Sequence, residues 1–427
     1  MDIHVVRAGE TVSSVAARYG VPAGILAGVN GIAPDAPLAV GQTLVVRHPR
    51  ELHTVASGES VYSIALRYGL SVRTLYQNNP ALGGRSALYP GQTLVIAYDD
   101  TPTRTLAVNA YSYPFIRGGL LDAALPYLTY LTPFTYGINA DGTLLPLADE
   151  WLLAAAGQYR TAALMHLSTL TEEGRFDNAR STLILEDADA QDALVQSILE
   201  TVQARHYFGL DVDFEYVLPE QREAYAAFIT RLREALNPLG CPVVVALAPK
   251  TSAAQRGLLY EAHDYALLGA AANAVFLMTY EWGYAYGPPM AVAPLGQVRA
   301  VLDYALTAVA PEKIFMGIPL YGYDWPLPFV SGKTRAESLS PVQAVERALR
   351  HDIAIQYDAA AQAPYYHYTD HGGREHAVWF EDARSIEAKL RLADEYHLQG
   401  VGYWNLTRPF PQNWAVLASL FDIETLL

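Results

Sequence analysis

Three acidic residues alternate with apolar residues near the middle of the chain. Asp211, Asp213 and Glu215 occupy every second position of the run 208–216. A β-strand sends successive side chains to opposite faces, so the three acids would share one face. Carboxylates held this close perturb one another's pKa, and such clusters are typical of catalytic acid–base sites. A solvated edge strand is the alternative, but the apolar residues between the acids favour a strand that is covered on its outer side.

The elements that must position these acids follow a regular alternation after residue 104. Eight strands are predicted, at residues 105–112, 130–137, 161–167, 207–215, 243–249, 274–280, 314–320 and 400–405. Helices are predicted at residues 119–127, 191–205, 219–237, 258–272, 294–309, 382–397 and 414–421. Strands alternating with helices indicate a parallel sheet, and eight such units favour an α/β fold of the TIM (β/α)8 barrel type over a doubly wound open sheet. The gap 324–378 is too long for a loop and predicts a small α+β insertion beside the pocket.

Aromatic and polar side chains collect where the predicted strands end. The candidate substrate-binding residues there are Tyr111, Tyr280, Glu281, Trp282, Trp404 and Asn405, and Tyr321 is a further candidate for catalysis. In a TIM barrel the active site is built at the carboxyl ends of the strands. Aromatic rings stack on the apolar faces of a pyranose, and acids accept hydrogen bonds from its hydroxyls. The strand ends therefore predict a carbohydrate site.

The first 98 residues contain two copies of one small module. The matching segments are 8–20 with 57–69, and 40–46 with 90–96. Each copy predicts a βααβ unit, in which Thr11 or Ser60 caps the first helix and Gly20 or Gly69 ends it. We expect three domains, at residues 1–49, 50–99 and 100–427.

The composition limits the classes of partner. The chain has 427 residues, of which 51% are apolar and 17% charged, and its net charge of −15 argues against nucleic acid or an anionic membrane. Cys241 is the only cysteine, so no internal disulfide can form. No apolar run is long enough for a transmembrane helix, and the N-terminus does not have the pattern of a signal peptide.

Two known families share these patterns. The Gly-Glu-(Thr/Ser) runs at residues 9–11 and 58–60, with Gly-Gln-Thr-Leu-Val at 41–45 and 91–95, resemble the LysM domain. The acids together with Met278-x-Tyr280, residues 319–322 and residues 402–404 resemble glycoside hydrolase family 18. Together, two LysM modules and such a barrel look most like the spore cortex-lytic N-acetylglucosaminidases.

The resemblance implies a glycosidase that cuts β-1,4 bonds of N-acetylglucosamine in spore cortex peptidoglycan, anchored to the glycan by its LysM modules. It implies a monomer in the spore coat, cortex or cell envelope that needs no metal or cofactor. A chitinase, and a non-catalytic glycan-binding lectin, are the alternatives. Because lectins of this family usually replace the acid and Glu215 is present, we expect an enzyme.

Two mechanisms are compatible with the spacing of the acids. Asp213 and Glu215 lie roughly 6–7 Å apart along a strand, which leaves a direct carboxylate nucleophile possible. The resemblance implies substrate assistance instead: Glu215 is the proton donor, Asp213 holds the substrate acetamide, and Asp211 supports their charge. Tyr321 would donate to the acetamide oxygen, and Trp404 would form the floor of the −1 sugar site.

The sequence departs from the family pattern at two positions. Phe208 replaces the first acid of the Asp-x-x-Asp-x-Asp-x-Glu motif, which predicts one acidic neighbour fewer for Asp211. Glu281 replaces the usual Asp after the tyrosine, so that its contact with substrate would be remade.

Overall fold

The computed structural model describes residues 1–427 and centres on a closed barrel of eight parallel strands. The barrel strands are Arg104–Ser112, Tyr130–Pro133, Ala162–Ser168, Gly209–Asp213, Val243–Leu247, Ala274–Leu277, Ile314–Pro319 and Gly400–Trp404. Each strand pairs with its neighbours in chain order, and the eighth pairs with the first. A short final strand, Phe421–Ile423, extends the start of the first strand. The predicted TIM barrel is confirmed.

Helices surround the barrel. They are Gly118–Ala124, Glu150–Gln158, Asn178–Glu186, Ala188–Arg205, Arg222–Leu236, Tyr265–Ala271, Leu295–Ala305, Ala383–Glu395 and Pro411–Leu420. The second and third of these were not predicted. The helix expected from residue 258 begins only at Tyr265, because the Asp264 side chain accepts a hydrogen bond from the Leu267 N–H and caps the helix there. No single helix is long and apolar enough to cross a membrane, although one bent pair of helices, residues 12–19 with 23–30, has the length and composition to do so.

The segment after the seventh strand forms a separate antiparallel sheet. Its strands are Gly322–Pro326, Glu337–Leu339, Gln356–Asp358, Ala363–Thr369 and Glu375–Trp379, with the helix Pro341–Arg350 beside them. Inside it the buried Asp324 carboxylate accepts hydrogen bonds from Arg347, Tyr368 and His376. This network satisfies the buried charge and joins the helix of the insertion to three of its strands.

The two N-terminal modules have the predicted βααβ order. The first comprises Asp2–Val5, Val12–Tyr19, Ala23–Asn30 and Thr43–Val46, and the second Pro49–Thr54, Val61–Arg67, Val72–Asn78 and Thr93–Tyr98. Thr11 and Ser60 form capping boxes with Ser14 and Ser63 at the start of the first helix of each module.

Both modules are packed onto the barrel. Val29, Val45, Val95 and Tyr98 belong to the same continuous hydrophobic core as the barrel strands. From the second module, the Arg73 guanidinium donates to the backbone carbonyls of residues 126 and 128, at 2.8 and 2.6 Å. The modules and the barrel therefore share buried apolar surface and do not hang on a free linker.

The first module packs more closely against the barrel domain than the second module does. The Gln412 side chain donates to the Thr43 carbonyl at 2.6 Å and to Asn30 Oδ1 at 2.9 Å. At Gly41, where φ is +82°, an added Cβ would lie 1.9 Å from the Ile355 carbonyl oxygen of the insertion. Gly91, which occupies the same position in the second module, faces open space.

Candidate active site

The fourth strand delivers two of the three acids to the barrel interior. Asp211 and Asp213 are buried and lie opposite His166 and Ser168 of the third strand. The strand ends at Asp213, so Glu215 stands two residues beyond it and is half-buried. The predicted arrangement holds for the two aspartates, while the third acid sits on the loop at the carboxyl end.

The loop that carries Glu215 is braced from its outer side. Phe214 is fully buried and stacks on Tyr225, with ring centroids 5.7 Å apart. The Ala248 N–H donates to His263 Nδ1 at 2.8 Å, so Nε2 carries the hydrogen and donates to the Phe214 carbonyl at 3.0 Å. The neighbouring strand and its loop thus hold the backbone next to Glu215.

Burial dominates the electrostatics of the acids. It raises the pKa of Asp211 to about 7, against the hydrogen bond that Tyr111 donates. Burial, and then the charges of Glu215 and Asp211, raise the pKa of Asp213 well above its ordinary value. The pKa of Glu215 is raised by burial and then by the charge of Glu281. A carboxyl that holds its proton near neutral pH is what a general acid requires.

Aromatic rings line one side of the acids. The Tyr111 hydroxyl donates to Asp211 Oδ2 at 2.7 Å, and its ring meets the Trp404 ring edge-on at 5.5 Å. Trp404 also meets Phe134 edge-on at 4.8 Å. Trp404 is only half-buried at the end of the eighth strand, so part of its surface stays accessible.

Three tyrosines lie close to the acidic side chains, and their hydroxyls are engaged in different ways. Tyr321 donates to Glu281 Oε1, and Tyr323 donates to the same oxygen at 2.9 Å. The hydroxyl of Tyr321, expected to donate to an acetamide, is therefore engaged with a carboxylate. Tyr280 is buried, and burial followed by the charges of Asp213 and Glu215 raises its pKa well above the ordinary value. It stays a protonated donor beside the acids.

The remaining predicted contacts lie at the edges of this group. Asn405 is buried, and its Oδ1 accepts a hydrogen bond from the Thr407 N–H at 3.1 Å, so it serves its own loop. The backbone N–H of Trp282 donates to the Val292 carbonyl at 3.0 Å, and the Trp282 side chain packs against the barrel core.

Phe208 lies at the opposite end of the fourth strand from Glu215. Its ring packs against Tyr130 at 5.8 Å, and it lies three positions before Asp211, about 10 Å along an extended chain. The missing acid would thus stand far from the reacting groups, and it is burial and the Tyr111 hydroxyl that set the pKa of Asp211.

Sequence reasoning did not single out His166, Thr135 or Tyr323, which the fold brings to the site. His166 is buried 3.8 Å from Asp213 Oδ2, and Thr135 Oγ1 lies 2.6 Å from its Nδ1. The one available signal was a histidine within the apolar run Ala162–Ser168. No group of three or more His, Cys, Asp or Glu side chains is arranged to hold a metal ion.

Comparisons with known proteins agree with this geometry. Residues 171–408 match glycosyl hydrolases family 18, and residues 4–47 and 53–97 match the LysM domain. The chain is 39% identical to the cortical fragment-lytic enzyme of Bacillus subtilis (strain 168), over 99% of both chains. The crystal structure of the Bacillus cereus spore cortex-lytic enzyme SleL superposes with a TM-score of 0.84 at 38% identity, over 99% of this chain and 98% of that one.

A more distant structure shares the barrel. The chitinase from Chromobacterium violaceum ATCC 12472 matches with a TM-score of 0.68 at 25% identity, over 74% of this chain and 98% of that one. The similarity to the cortical fragment-lytic enzymes runs over the full length, LysM modules included. The chain is therefore a glycoside hydrolase that belongs to glycosyl hydrolase family 18, in its branch of cortical fragment-lytic enzymes with two LysM domains.

Proposed function

We propose that this enzyme is an N-acetyl-β-D-glucosaminidase that hydrolyses β-1,4 bonds of spore cortex peptidoglycan with retention at the anomeric carbon. The observation that carries the proposal is the set of carboxyls at the carboxyl end of the barrel beside Trp404, the buried Asp211 and Asp213 and the half-buried Glu215. The full-length similarity to proteins named for cortex lysis supports peptidoglycan over chitin as the substrate.

Substrate assistance assigns each acid a separate task. Glu215 protonates the leaving oxygen while the acetamide oxygen of the substrate attacks the anomeric carbon, and Glu215 then accepts a proton from water. Asp213 Oδ1 has no hydrogen-bond partner in the protein, and the acetamide N–H supplies one. Asp211, held by Tyr111, supports the charge of Asp213. Tyr280 and Tyr321 are the phenols that can donate to the acetamide oxygen, Tyr321 after leaving Glu281.

We further propose that the protein acts as a monomer in the spore coat, cortex or cell envelope, held on the glycan by its LysM modules. The first strand–helix loop of each module is braced in the same way. Glu10 Oε2 accepts from the Arg7 N–H at 2.9 Å, and Glu59 Oε2 accepts from the Ala56 N–H at 2.8 Å. Rigid loops with this geometry lose little conformational freedom when they bind a glycan.

The decisive experiment compares wild type with Glu215→Gln on purified cortex fragments and on chitin oligomers, with mass analysis of the products. We expect wild type to release N-acetylglucosamine-ended cortex fragments and Glu215→Gln to bind the glycan without cleaving it. Glu220→Gln, the same change at an exposed position five residues on, is the matched control and should remain active. Turnover by Glu215→Gln would overturn the assignment of the acid, and cleavage of chitin alone would favour the chitinase alternative.

Substrate assistance is tested by removing the acetamide from the substrate. We expect glycosides without the N-acetyl group to resist hydrolysis, and Asp213→Asn to lower the rate on N-acetylated substrate strongly. Equal rates on both substrates would instead support a direct carboxylate nucleophile.

A further inference from the structure

A buried histidine lies directly behind the two aspartates. His166 Nε2 is 4.0 Å from Asp211 Oδ2 and 3.8 Å from Asp213 Oδ2, and it is the only basic side chain within ion-pair distance of either acid. The ring is 1% exposed and is enclosed by Phe134 at 4.7 Å and by the edge of Tyr111 at 5.6 Å. Its orientation is therefore fixed by packing.

The contact of the other ring nitrogen indicates which nitrogen carries the hydrogen. Thr135 Oγ1 lies 2.6 Å from His166 Nδ1, within the usual range for O–H donors and shorter than that for N–H donors, about 2.7–3.2 Å. Thr135 Oγ1 also lies 3.0 Å from the Tyr136 carbonyl oxygen and 3.0 Å from Ser168 Oγ, and we assign its one hydrogen to the shortest of these contacts, the one to Nδ1. Burial lowers the pKa of His166 to about 3, so that the ring is neutral and its one hydrogen sits on Nε2.

Asp211 and Asp213 accept few hydrogen bonds from the protein. Tyr111 donates to Asp211 only, and the second oxygen of each aspartate, Oδ1, has no partner. Asp213 receives no hydrogen bond from the protein, although a buried carboxylate without donors is costly. The Nε2–H of His166 faces both acids, and a shift of about 1 Å brings it within hydrogen-bond range of Asp213.

We propose that His166, oriented by Thr135, is a positioning residue that donates its Nε2–H to Asp213 and Asp211 when negative charge develops on them during hydrolysis. The proton stays on His166 throughout, and no bond to the substrate forms or breaks at this residue. A neutral donor stabilises the carboxylate without pairing with it as a cation would, which leaves Asp213 free to hold the acetamide. The inference rests on the proposed function.

The test uses three variants of the full chain. His166→Phe fills the space without a donor, His166→Gln keeps an N–H near the position of Nε2, and Thr135→Val removes the orienting hydroxyl. We expect His166→Phe to lower kcat on cortex fragments by about 10- to 100-fold, the factor that a hydrogen bond to a charged group is worth, with KM changed less than about twofold. His166→Gln should recover most of that loss, and Thr135→Val should fall between the two.

A second readout does not depend on activity. In ¹⁵N NMR of histidine-labelled protein, the resonances missing from His166→Gln are those of His166, and we expect them to show a neutral ring with the hydrogen on Nε2 at pH 7. Thr135→Val should shift population towards the other tautomer. A hydrogen on Nδ1 in wild type, a cationic ring at pH 7, or wild-type kcat in His166→Phe would each overturn the proposal.

The NMR readout also covers the case in which His166→Phe does not fold. Thr135→Val with wild-type kcat and an unchanged tautomer would then sink the proposal. A wild-type enzyme that cleaves no N-acetylglucosamine polymer refutes the proposed function, and that result is independent of which nitrogen carries the hydrogen.

Discussion

Replacing Asp211 by Asn should make the enzyme more stable and less active. Asp211 is 0% exposed, and burial raises its pKa from 3.8 to about 7 in the folded protein. The protonated form is thus the one that folding favours. Its contribution to the free energy of unfolding is fully present below pH 3.8 and is lost as the pH rises through 7.

The size of the effect follows from this pKa. Each pH unit of difference is worth about 1.36 kcal/mol, so the ionised carboxylate lowers the free energy of unfolding by about 4 kcal/mol above pH 7. Asn does not ionise, and its side-chain oxygen can still accept from the Tyr111 hydroxyl. We therefore expect Asp211→Asn to exceed wild type in stability by up to about 4 kcal/mol at pH 8, and by about 3 kcal/mol less at pH 5.

Urea unfolding followed by tryptophan fluorescence at pH 5 and pH 8 measures this difference, and hydrolysis of cortex fragments measures the loss of activity. Asp149→Asn is the control, because Asp149 is equally buried but accepts from Tyr136 at 2.9 Å and also from Tyr207 and Arg205. The free energy of unfolding of Asp149→Asn should be about 1–3 kcal/mol below that of wild type. An Asp211→Asn protein that is less stable than wild type at pH 8, or a difference that does not vary with pH, would refute the reasoning.

Three further changes test other parts of the molecule. Gly41→Ala should lower the free energy of unfolding by about 1–3 kcal/mol more than Gly91→Ala does. Both glycines have positive φ, but only at Gly41 would an added Cβ clash with the insertion. Equal urea midpoints for the two variants would contradict this. Lys389→Met should lower the free energy of unfolding by about 3–5 kcal/mol, because the buried Glu381 carboxylate loses the ammonium 2.8 Å away. Adding Glu381→Leu should restore most of that stability. A double variant that is no more stable than Lys389→Met would contradict the reasoning. Glu59→Ala should weaken co-sedimentation with insoluble peptidoglycan while kcat on a soluble oligosaccharide stays within about twofold, since the change loosens only a LysM loop; unchanged sedimentation would count against that role.

The barrel was predictable because parallel strands covered by helices leave a strong alternating pattern. The fourth strand shows why: Phe214 packs under the helix Arg222–Leu236 while Asp211 and Asp213 point inward, as the period of two requires. The ends of the strands were harder to predict. The strand stops at Asp213, since beyond it the chain turns and Tyr216 adopts φ of +57°, which no local pattern signals.

Contacts between distant segments could not be predicted from local pattern. His166 was indistinguishable from a core histidine until the register of the third and fourth strands placed it opposite Asp211. Likewise the sequence showed Gly41 only as part of a repeated motif, whereas the structure shows its missing side chain as the condition for close approach of the insertion.

The two N-terminal modules share one internal design, yet they are not interchangeable. Inside each copy the same amide joins helix to strand: Asn30 donates to the Val45 carbonyl, and Asn79 to that of Val95. On the outside, each copy contacts a different neighbour. Arg73 of the second module, which donates to the carbonyls of residues 126 and 128, corresponds to Gly24 of the first, so exchanging the modules would leave those two carbonyls without their guanidinium. The modules are therefore alike inside, but each is specific to its own place on one barrel.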